Sequence, residues 1–363
     1  MTTSTAPAST RSADPERVEA FASHLLDVIN HGAVALGLSV GHRTGLFDAL
    51  SALPPSSSEA IADTAGLDER YVREWLGAMV TARIVEFEAA TGRYALPAEH
   101  AALLTRASTP DNLAVTAQWF AVLAGVEDRI VECFHRGGGV PYEAFGRFHE
   151  VMAEESAQTV VAALFDHILP LAPGLNDRLR DGIDVLDVGC GRGRALLAMA
   201  SEYPSSRFRG YELSDEAVAA ARAEAMEMGL RNVVFATVDA ALMTDEARFD
   251  LVTAFDIVHD QAHPDTVLAN LHRALRPGGL FLMQDISTHT PLESNIDHPL
   301  GPFLYTISYT HCMTVSLAQD GAGLGTCWGR ELAETMLAEA GFGGVEVHTL
   351  PHDIQNFFYL ARR

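Results

Sequence analysis

The sequence predicts an α/β protein in which a mostly parallel sheet follows an α-rich N-terminal region. Residues 183–188 are largely apolar and β-branched, as a buried parallel strand is. Gly189, Gly191 and Gly193 come directly after this strand and lead into an apolar helix start. Further strand patterns alternate with helical patterns up to residue 285, whereas helical spacing dominates before residue 180.

The glycine-rich turn predicts a binding site for a nucleotide-like ligand. Alternate glycines let backbone N–H groups and the positive end of the following helix approach a ligand closely. The dinucleotide fingerprint requires its third Gly or Ala three residues after the second glycine. Arg194 occupies that place here, and Gly193 comes one residue early. A nicotinamide enzyme is therefore the weaker interpretation.

The segment 187–193, Asp-Val-Gly-Cys-Gly-Arg-Gly, resembles motif I of the class I S-adenosylmethionine (SAM) methyltransferases. Further elements of that family follow in order. A second strand ends at Glu212, at about the twenty-residue distance that suits an acid on the ribose hydroxyls. A third ends near Asp239, which in the family contacts the adenine amino group. A fourth strand ends at Asp256, and a turn and fifth strand occupy 275–285.

The resemblance implies SAM as cofactor and S-adenosylhomocysteine (SAH) as its product. It also implies a Rossmann-like class I methyltransferase domain over 181–363, with a mostly parallel seven-stranded sheet and a C-terminal antiparallel hairpin. The residues expected to bind the cofactor lie at the strand ends and turns: Asp187, Gly189, Cys190, Gly191, Gly193, Glu212, Leu213, Asp239, Ala240, Phe255 and Asp256.

Composition limits the possible partners and compartments. The net charge of −23 repels a phosphate backbone and anionic lipid, so neither nucleic acid nor a membrane is expected. The four cysteines form no CxxC pair, which argues against a disulfide framework and favours a reducing cytoplasm. Residues 1–12 show no basic-then-apolar pattern and the sequence has no apolar run of about twenty residues, so neither a signal peptide nor a membrane span is expected. Residues 1–14 are predicted to be a disordered tail.

Residues 15–105 predict a winged helix. Helical patterns at 18–38, 45–50, 56–65 and from Asp68 onward precede two short strands around Thr91 and Gly92. This arrangement resembles the N-terminal dimerisation domain of small-molecule O-methyltransferases, which implies a homodimer. The alternative is a SAM-responsive DNA-binding regulator, but 68–74 carries three acids and only two arginines, whereas a groove-reading helix needs basic residues.

Two further regions predict the substrate side of the site. Residues 106–180 read as a helical connector, which in related enzymes forms the roof of the substrate cavity. Residues 286–329 are longer than a simple strand-to-helix connection and mix aromatic with polar residues, as a small-molecule pocket does. The expected substrate-binding residues are His263, Tyr305, Tyr309 and His311.

The chemistry is expected after the fourth strand, because open α/β sheets place ligands at their carboxyl edge. Residues 255–264 resemble the catalytic His-Asp segment of the winged-helix O-methyltransferases, and His259 matches the general base. The family usually has Trp after His-Asp, where this chain has Gln261, and the acid that orients the histidine is not matched. The alternative is that His259 only lines the cofactor pocket.

No metal is expected. His259 and His263 are spaced four apart, as ligands on a helix can be, but Pro264 limits a helix there and no third ligand has a matching spacing.

The sequence therefore predicts SAM-dependent methyl transfer to a small molecule, as by an O-methyltransferase of secondary or specialised metabolism. A SAM-binding enzyme with another reaction is the alternative, because its cofactor motif would be the same. No motif identifies the substrate, and oxygen, nitrogen, sulfur and carbon acceptors all stay open.

Overall fold

The computed structural model describes residues 13–351 and 353–363, so most of the predicted N-terminal tail lies outside the described residues. The chain divides into two compact units, of which the first ends at Ser108 and the second runs from Thr109 to Arg363. No helix among the described residues is long and apolar enough to cross a membrane.

The first unit begins with a long helix, α1 (Pro15–Thr44), which extends beyond the predicted 18–38. The Asp14 carboxylate accepts the N–H of Glu16 at 3.0 Å and caps the first turn, and Pro15 is suited to the first helical position. Gly45 ends the helix in the left-handed conformation. Apolar residues at helical spacing form a stripe along α1, and this stripe is largely exposed in this chain, with Phe21, Leu26 and Ile29 at least 60% accessible.

The remainder of the first unit confirms the predicted winged helix. Its elements are α2 (Leu46–Ala52), α3 (Ser58–Ala65), α4 (Glu69–Thr81), the antiparallel strands β1 (Glu86–Glu88) and β2 (Arg93–Ala95), and α5 (Ala98–Leu104). Helix α4 packs on α1, where the indole N–H of Trp75 donates to the Gly37 carbonyl at 2.8 Å. Arg70 and Arg73 on α4 pair with Glu74 and Glu69 of the same helix.

The second unit starts with the helices of the connector: α6 (Leu113–Thr116), α7 (Gln118–Ala124), α8 (Glu127–Arg136), α9 (Phe148–Thr159) and α10 (Leu175–Asp181). The extended segment between α8 and α9 packs closely against the 286–329 insertion. A Cβ atom at Gly139 would lie 2.0 Å from the Thr314 carbonyl oxygen, and the Val140 N–H donates to Thr314 Oγ1 at 2.8 Å.

The described residues of the second unit form a seven-stranded sheet, as predicted. Its strands are β3 (Asp184–Val188), β4 (Arg207–Glu212), β5 (Val233–Thr237), β6 (Phe249–Phe255), β7 (Leu275–Ile286), β8 (Gly343–Leu350) and β9 (Asp353–Arg362). Their order is β5-β4-β3-β6-β7-β9-β8, with parallel pairing from β5 to β7 and antiparallel pairing of β9 with both β7 and β8.

Helices connect these strands and cover the sheet. They are α11 (Arg194–Glu202), α12 (Asp215–Glu227), α13 (Pro264–Ala274), α14 (Gly301–Ile307), α15 (Met313–Leu317) and α16 (Arg330–Glu339). A π-helical turn, Ser308–Cys312, joins α14 to α15 within the insertion. The order of the parallel strands changes direction at β3: β4 and β5 lie on one side of it, and β6 and β7 lie on the other. This switch point opens a crevice at the carboxyl ends of β3 and β6.

The turn predicted before the fifth strand differs from the structure. Residues 275–279 were expected to form a turn before the fifth strand, but they are part of β7. Leu275 pairs with Phe249 and Leu280 with Leu251, so the intervening residues form an irregularity in the strand. The Arg276 guanidinium holds this irregularity to the sheet through hydrogen bonds to Asp184 and Asp250.

Candidate active site

The glycine turn after β3 leaves one position open. A Cβ atom would lie 2.4 Å from Ile257 at Gly189 and 2.5 Å from Phe235 at Gly193, so packing alone excludes a side chain at both. A Cβ atom at Gly191 would meet no described atom within 4 Å. All three residues have positive φ. Gly191 therefore combines an accessible backbone with the space that a ligand needs.

Glu212 lies beside this turn at the end of β4. Its Oε2 atom accepts the Gly191 N–H and its Oε1 atom accepts the Ser214 N–H, both at 2.9 Å. The carboxylate therefore fixes both the turn and the start of α12. Leu213 follows with an exposed side chain.

Asp187 and Cys190 belong to the packing beneath the turn. Asp187 is buried and accepts the Thr253 hydroxyl at 2.7 Å. Burial is the main reason that the pKa of Asp187 rises to about 7, and the neighbouring Glu212 raises it further. The Cys190 Sγ atom lies where a side chain at Gly210 would begin. The packing of these two residues therefore stabilises the glycine turn.

Asp239 and Ala240 follow β5, where local hydrogen bonds fix the backbone. The Asp239 carboxylate accepts the Ala241 N–H at 2.8 Å. The Asn270 amide donates to the carbonyls of Ala240 and Ala241 at 3.0 and 2.9 Å. Helix α13 therefore holds the third predicted cofactor segment in place.

Phe255 ends β6 and Asp256 follows it directly, and both are half-buried. Asp256 has a φ of +53° and accepts the Gln284 amide at 3.2 Å through Oδ2. Its Oδ1 atom is buried and has no partner among the described residues. Burial, followed by the charge of Asp285, raises the pKa of Asp256 well above its usual range.

His259 is buried and paired with an acid that the sequence analysis did not identify. Its Nδ1 atom lies 2.8 Å from Asp285 Oδ1. The same oxygen accepts the indole N–H of Trp328 at 3.0 Å and the N–H of Ile286 at 2.8 Å. Burial lowers the pKa of His259, but the Asp285 carboxylate and the Cys312 thiol beside it outweigh that effect and raise the pKa well above 6.5.

The structure separates His259 from His263. Residues 256–262 lie outside helices and strands, and His263 comes directly before α13 with an exposed side chain, so the two histidines do not share a helix face. The grouping with metal-ligand geometry found among the described residues is Asp256, His259 and Asp285, whose ligand atoms lie within 4.8 Å of one another.

Residues of the connector and the insertion lie close to His259. The Tyr142 hydroxyl donates to Asp260 Oδ2, and burial is the main reason that the pKa of Asp260 rises to about 6. Cys312 of the insertion also lies close to His259, and its thiol contributes to the raised pKa of that histidine. His311 is fully enclosed, and its pKa falls to about 3 through burial and then through the charge of His259.

The two predicted tyrosines make other contacts. The Tyr305 hydroxyl accepts the Asn295 amide at 3.1 Å within the insertion. The Tyr309 ring is partly exposed and meets the edge of Phe134 on α8, with centroids 5.9 Å apart. Of the four predicted substrate residues, His311 is the one whose pKa is lowered by the charge of His259.

An acidic residue of the connector adds to the charge around Asp256. Glu155 on α9 accepts the Thr116 hydroxyl at 3.0 and 3.2 Å, and its pKa rises to about 7, chiefly through burial and then through Asp353 and Glu154. The charges of Glu155 and Asp353 also raise the pKa of Asp256. This concentration of carboxylates suits a positively charged ligand.

Two family models match the chain. Residues 32–106 match an Rv2258c-like winged HTH domain, and residues 179–341 match a methyltransferase domain. A ubiquinone biosynthesis O-methyltransferase of Leptothrix cholodnii is 30% identical over 109 residues, which are 30% of this chain and 46% of that protein. The chain thus spans about half the length of the curated relatives that it matches.

Several solved methyltransferase structures resemble nearly the whole chain. Human N-acetylserotonin methyltransferase in complex with SAM has a TM-score of 0.69 at 18% identity, covering 97% of this chain and 99% of that one. The mitomycin 7-O-methyltransferase MmcR has a TM-score of 0.68 at 17% identity, covering 96% and 100%. The chain therefore carries an Rv2258c-like winged helix-turn-helix domain followed by a methyltransferase domain, and it has the fold of the SAM-dependent small-molecule O-methyltransferases.

Proposed function

We propose that this protein transfers a methyl group from SAM to a hydroxyl group of a small molecule of specialised metabolism. The observation that carries the proposal is the buried His259–Asp285 pair at the carboxyl edge of the sheet, beside the glycine turn. An oxygen acceptor is supported by the presence of a base at this position. It is also supported by the O-methyltransferase names of the relatives.

The residues present fit SAM. Gly191 offers open space and Glu212 a carboxylate beside it, which suits a ribose diol at the end of β4. The buried oxygens Asp256 Oδ1 and Asp285 Oδ2 lack partners among the described residues, which suits a ligand with positive charge. When bound, SAM supplies an activated methyl group. The shape of the turn would then be maintained by the packing of Gly189, Gly193, Asp187 and Cys190.

We assign the proton transfer to His259. The Nδ1–H group of the imidazole donates a hydrogen bond to Asp285, which leaves Nε2 to take a proton from the acceptor hydroxyl. Trp328 and the Ile286 backbone fix Asp285 in turn, so the pair is preorganised. A positioned base contributes about 10²- to 10⁴-fold, and alignment of the reactants supplies most of the remainder.

We also propose a homodimer formed through α1, because its apolar face is largely exposed in the single chain. We further propose that the chain has three functional regions: the dimerisation domain at 15–105, the helical connector at 106–180 and the methyltransferase domain at 181–363. DNA binding is disfavoured by the pairing of Arg70 and Arg73 with acids on their own helix. Free thiols at all four cysteines are consistent with a cytoplasmic enzyme.

The first test is calorimetric titration of SAM and SAH into the wild type and His259→Ala, followed by mass spectrometry of reactions with hydroxylated aromatic compounds. We expect both proteins to bind both ligands and the wild type alone to give efficient methylation. A wild type that binds neither ligand would overturn the proposal. A product without an added methyl group would assign other chemistry to the same cofactor site.

Chelation separates base catalysis from metal-assisted transfer. Nδ1 of His259 is already bonded to Asp285, so we expect activity to persist after treatment with EDTA. Loss of activity, with recovery on adding Mg²⁺, would favour a metal at Asp256, His259 and Asp285 instead.

A further inference from the structure

We propose that His311 is a specificity-determining residue. It would bind a second polar group of the acceptor, so that the substrate class is a planar, uncharged aromatic molecule with two polar groups. The inference rests on the proposed function, because it takes His259 as the group that faces the methyl-accepting hydroxyl.

The first observation is an unused hydrogen-bonding atom. The His311 side chain is 2% exposed, and its Nδ1 atom lies 3.6 Å from the Cys312 Sγ atom. Its Nε2 atom has no hydrogen-bond partner in the part of the chain that the structure describes. Buried polar atoms nearly always have a partner, because leaving one unsatisfied is costly. A ligand that supplies the missing partner recovers that cost.

The second observation is the set of rings that surrounds His311. Phe148 stacks on the imidazole, with centroids 4.4 Å apart and planes 11° apart. Phe145 and Tyr142 meet it edge-on, at 4.6 and 5.5 Å, and Trp119 lies at 6.3 Å. These rings fix the orientation of the imidazole. Their faces and edges favour a planar aromatic ligand over a flexible aliphatic one.

The third observation is the proximity of His311 to the proposed base. Cys312 lies close to both histidines, since its Sγ atom is 3.6 Å from Nδ1 of His311 and its thiol contributes to the raised pKa of His259. Tyr142, which packs on His311, donates its hydroxyl to Asp260, the residue after His259. A single small molecule could therefore contact both histidines.

The charges near His311 select an uncharged ligand. Burial and the charge of His259 lower the pKa of His311 to about 3, so the imidazole is neutral at physiological pH and offers no cation. Two acids lie beside His259: Asp260 follows it in sequence, and Asp285 pairs with its Nδ1 atom. A hydroxyl, carbonyl or amide can form a hydrogen bond with a neutral imidazole, whereas a carboxylate would lie near Asp260 and Asp285, whose negative charges offset the positive charge of His259.

Naphthalene derivatives test the inference with the cofactor product in place. We would titrate 1-naphthol, the isomeric dihydroxynaphthalenes and hydroxynaphthoic acids into the full-length protein saturated with SAH. The proteins are the wild type, His311→Phe, which keeps a ring of similar shape, and His311→Gln, which restores a polar group. Binding of SAH itself should be the same in all three.

We expect at least one dihydroxynaphthalene to bind the wild type about tenfold more tightly than 1-naphthol, as one additional buried hydrogen bond allows. His311→Phe should lose that gain, His311→Gln should recover part of it, and the hydroxynaphthoic acids should bind no better than 1-naphthol. The inference is overturned if the second hydroxyl gives no gain in the wild type, or if its gain persists in His311→Phe. Loss of SAH binding by the wild type would instead refute the proposed function.

Discussion

Nδ1 of His259 lies 2.8 Å from Oδ1 of Asp285, and both side chains are buried at the carboxyl edge of the sheet. Two further N–H groups, from Trp328 and Ile286, converge on the same carboxylate oxygen. Asp285 therefore has a fixed position before any ligand binds, and it orients the imidazole that we assign as the base.

Replacing the acid should expose its role. Asp285→Asn keeps the shape of the side chain but removes the charge that stabilises protonated His259, so kcat should fall by about 10²- to 10⁴-fold. Trp328→Phe removes one donor to Asp285 and should have a smaller effect. Steady-state kinetics and SAM titration check both variants. An Asp285→Asn enzyme with kcat within twofold of the wild type would contradict the assignment.

The pH dependence follows from the same pair. Asp285 raises the pKa of His259 above 6.5, so the imidazole stays protonated to a higher pH than usual. A base must be unprotonated, so kcat/KM should increase as pH rises through the pKa of His259, and in Asp285→Asn the increase should move to lower pH. The profile of kcat/KM against pH checks this. A profile that falls between pH 6.5 and 9 would argue against His259 as base.

The pairing also links His259 to stability. A histidine whose pKa is raised on folding stabilises the fold fully below its unfolded pKa of about 6.5. That contribution is lost as pH rises through the raised folded pKa. Denaturant unfolding of the wild type and of His259→Ala, measured from pH 6 to pH 9, should therefore show a difference in unfolding free energy that shrinks with increasing pH.

Gly191 should be specific to cofactor binding. Gly191→Leu puts a side chain into the open space beside the turn and should abolish SAM binding. Gly229→Leu is the matched control, because Gly229 also has positive φ and open space but lies after α12. Both variants should lose about 1 kcal/mol of stability from backbone strain. Normal SAM affinity in Gly191→Leu would refute the predicted site.

Replacing each of two glycines of α1 by alanine should change the stability of the protein in opposite directions. A Cβ atom at Gly32 meets nothing within 4 Å, so Gly32→Ala should stabilise the helix by about 0.5–1 kcal/mol. A Cβ atom at Gly41 would lie 2.5 Å from Trp75 and 2.6 Å from Phe47, so Gly41→Ala should destabilise by about 1–3 kcal/mol. The midpoints of denaturant unfolding measure both. Equal shifts in one direction would contradict the packing of α1.

The exposed face of α1 should control the oligomeric state. The double variant Phe21→Glu with Ile29→Glu places charge on the apolar face and should give a folded monomer, because substitutions at exposed positions rarely unfold a protein. Met226→Glu is the control, since Met226 is even more exposed but lies on α12. Light scattering after size exclusion measures the mass. A double variant that remains dimeric would exclude this face as the interface.

The cofactor half of the site could be predicted because its residues follow directly from strand ends. Each of Gly191, Glu212 and Asp239 comes after an apolar run of its own, so local pattern and order determine its place at the carboxyl edge. Asp285 also ends such a run. Its pairing with His259 was missed because it depends on the register of β7 against β6, in which Gln284 is opposite Phe255. Periodicity does not encode that register.

The acceptor half was harder to predict because it is assembled from distant segments. His311 and Tyr309 are two residues apart in one π-helical turn, yet one is enclosed by rings of the connector and the other is partly exposed. A regular helical spacing does not separate the two. The exposure of the apolar stripe on α1 could not be predicted from the sequence either, because such a stripe has the same pattern whether it covers a core or meets another chain.

The close contact between Gly139 and Thr314 has a consequence for engineering this protein. The connector and the insertion touch backbone to backbone there, with the Val140 N–H bonded to the Thr314 hydroxyl. A chimaera that receives only the insertion of a relative would bring a mismatched surface against Gly139. The two segments must therefore be transplanted as a pair, and the glycine turn and the strand ends can then serve a new acceptor unchanged.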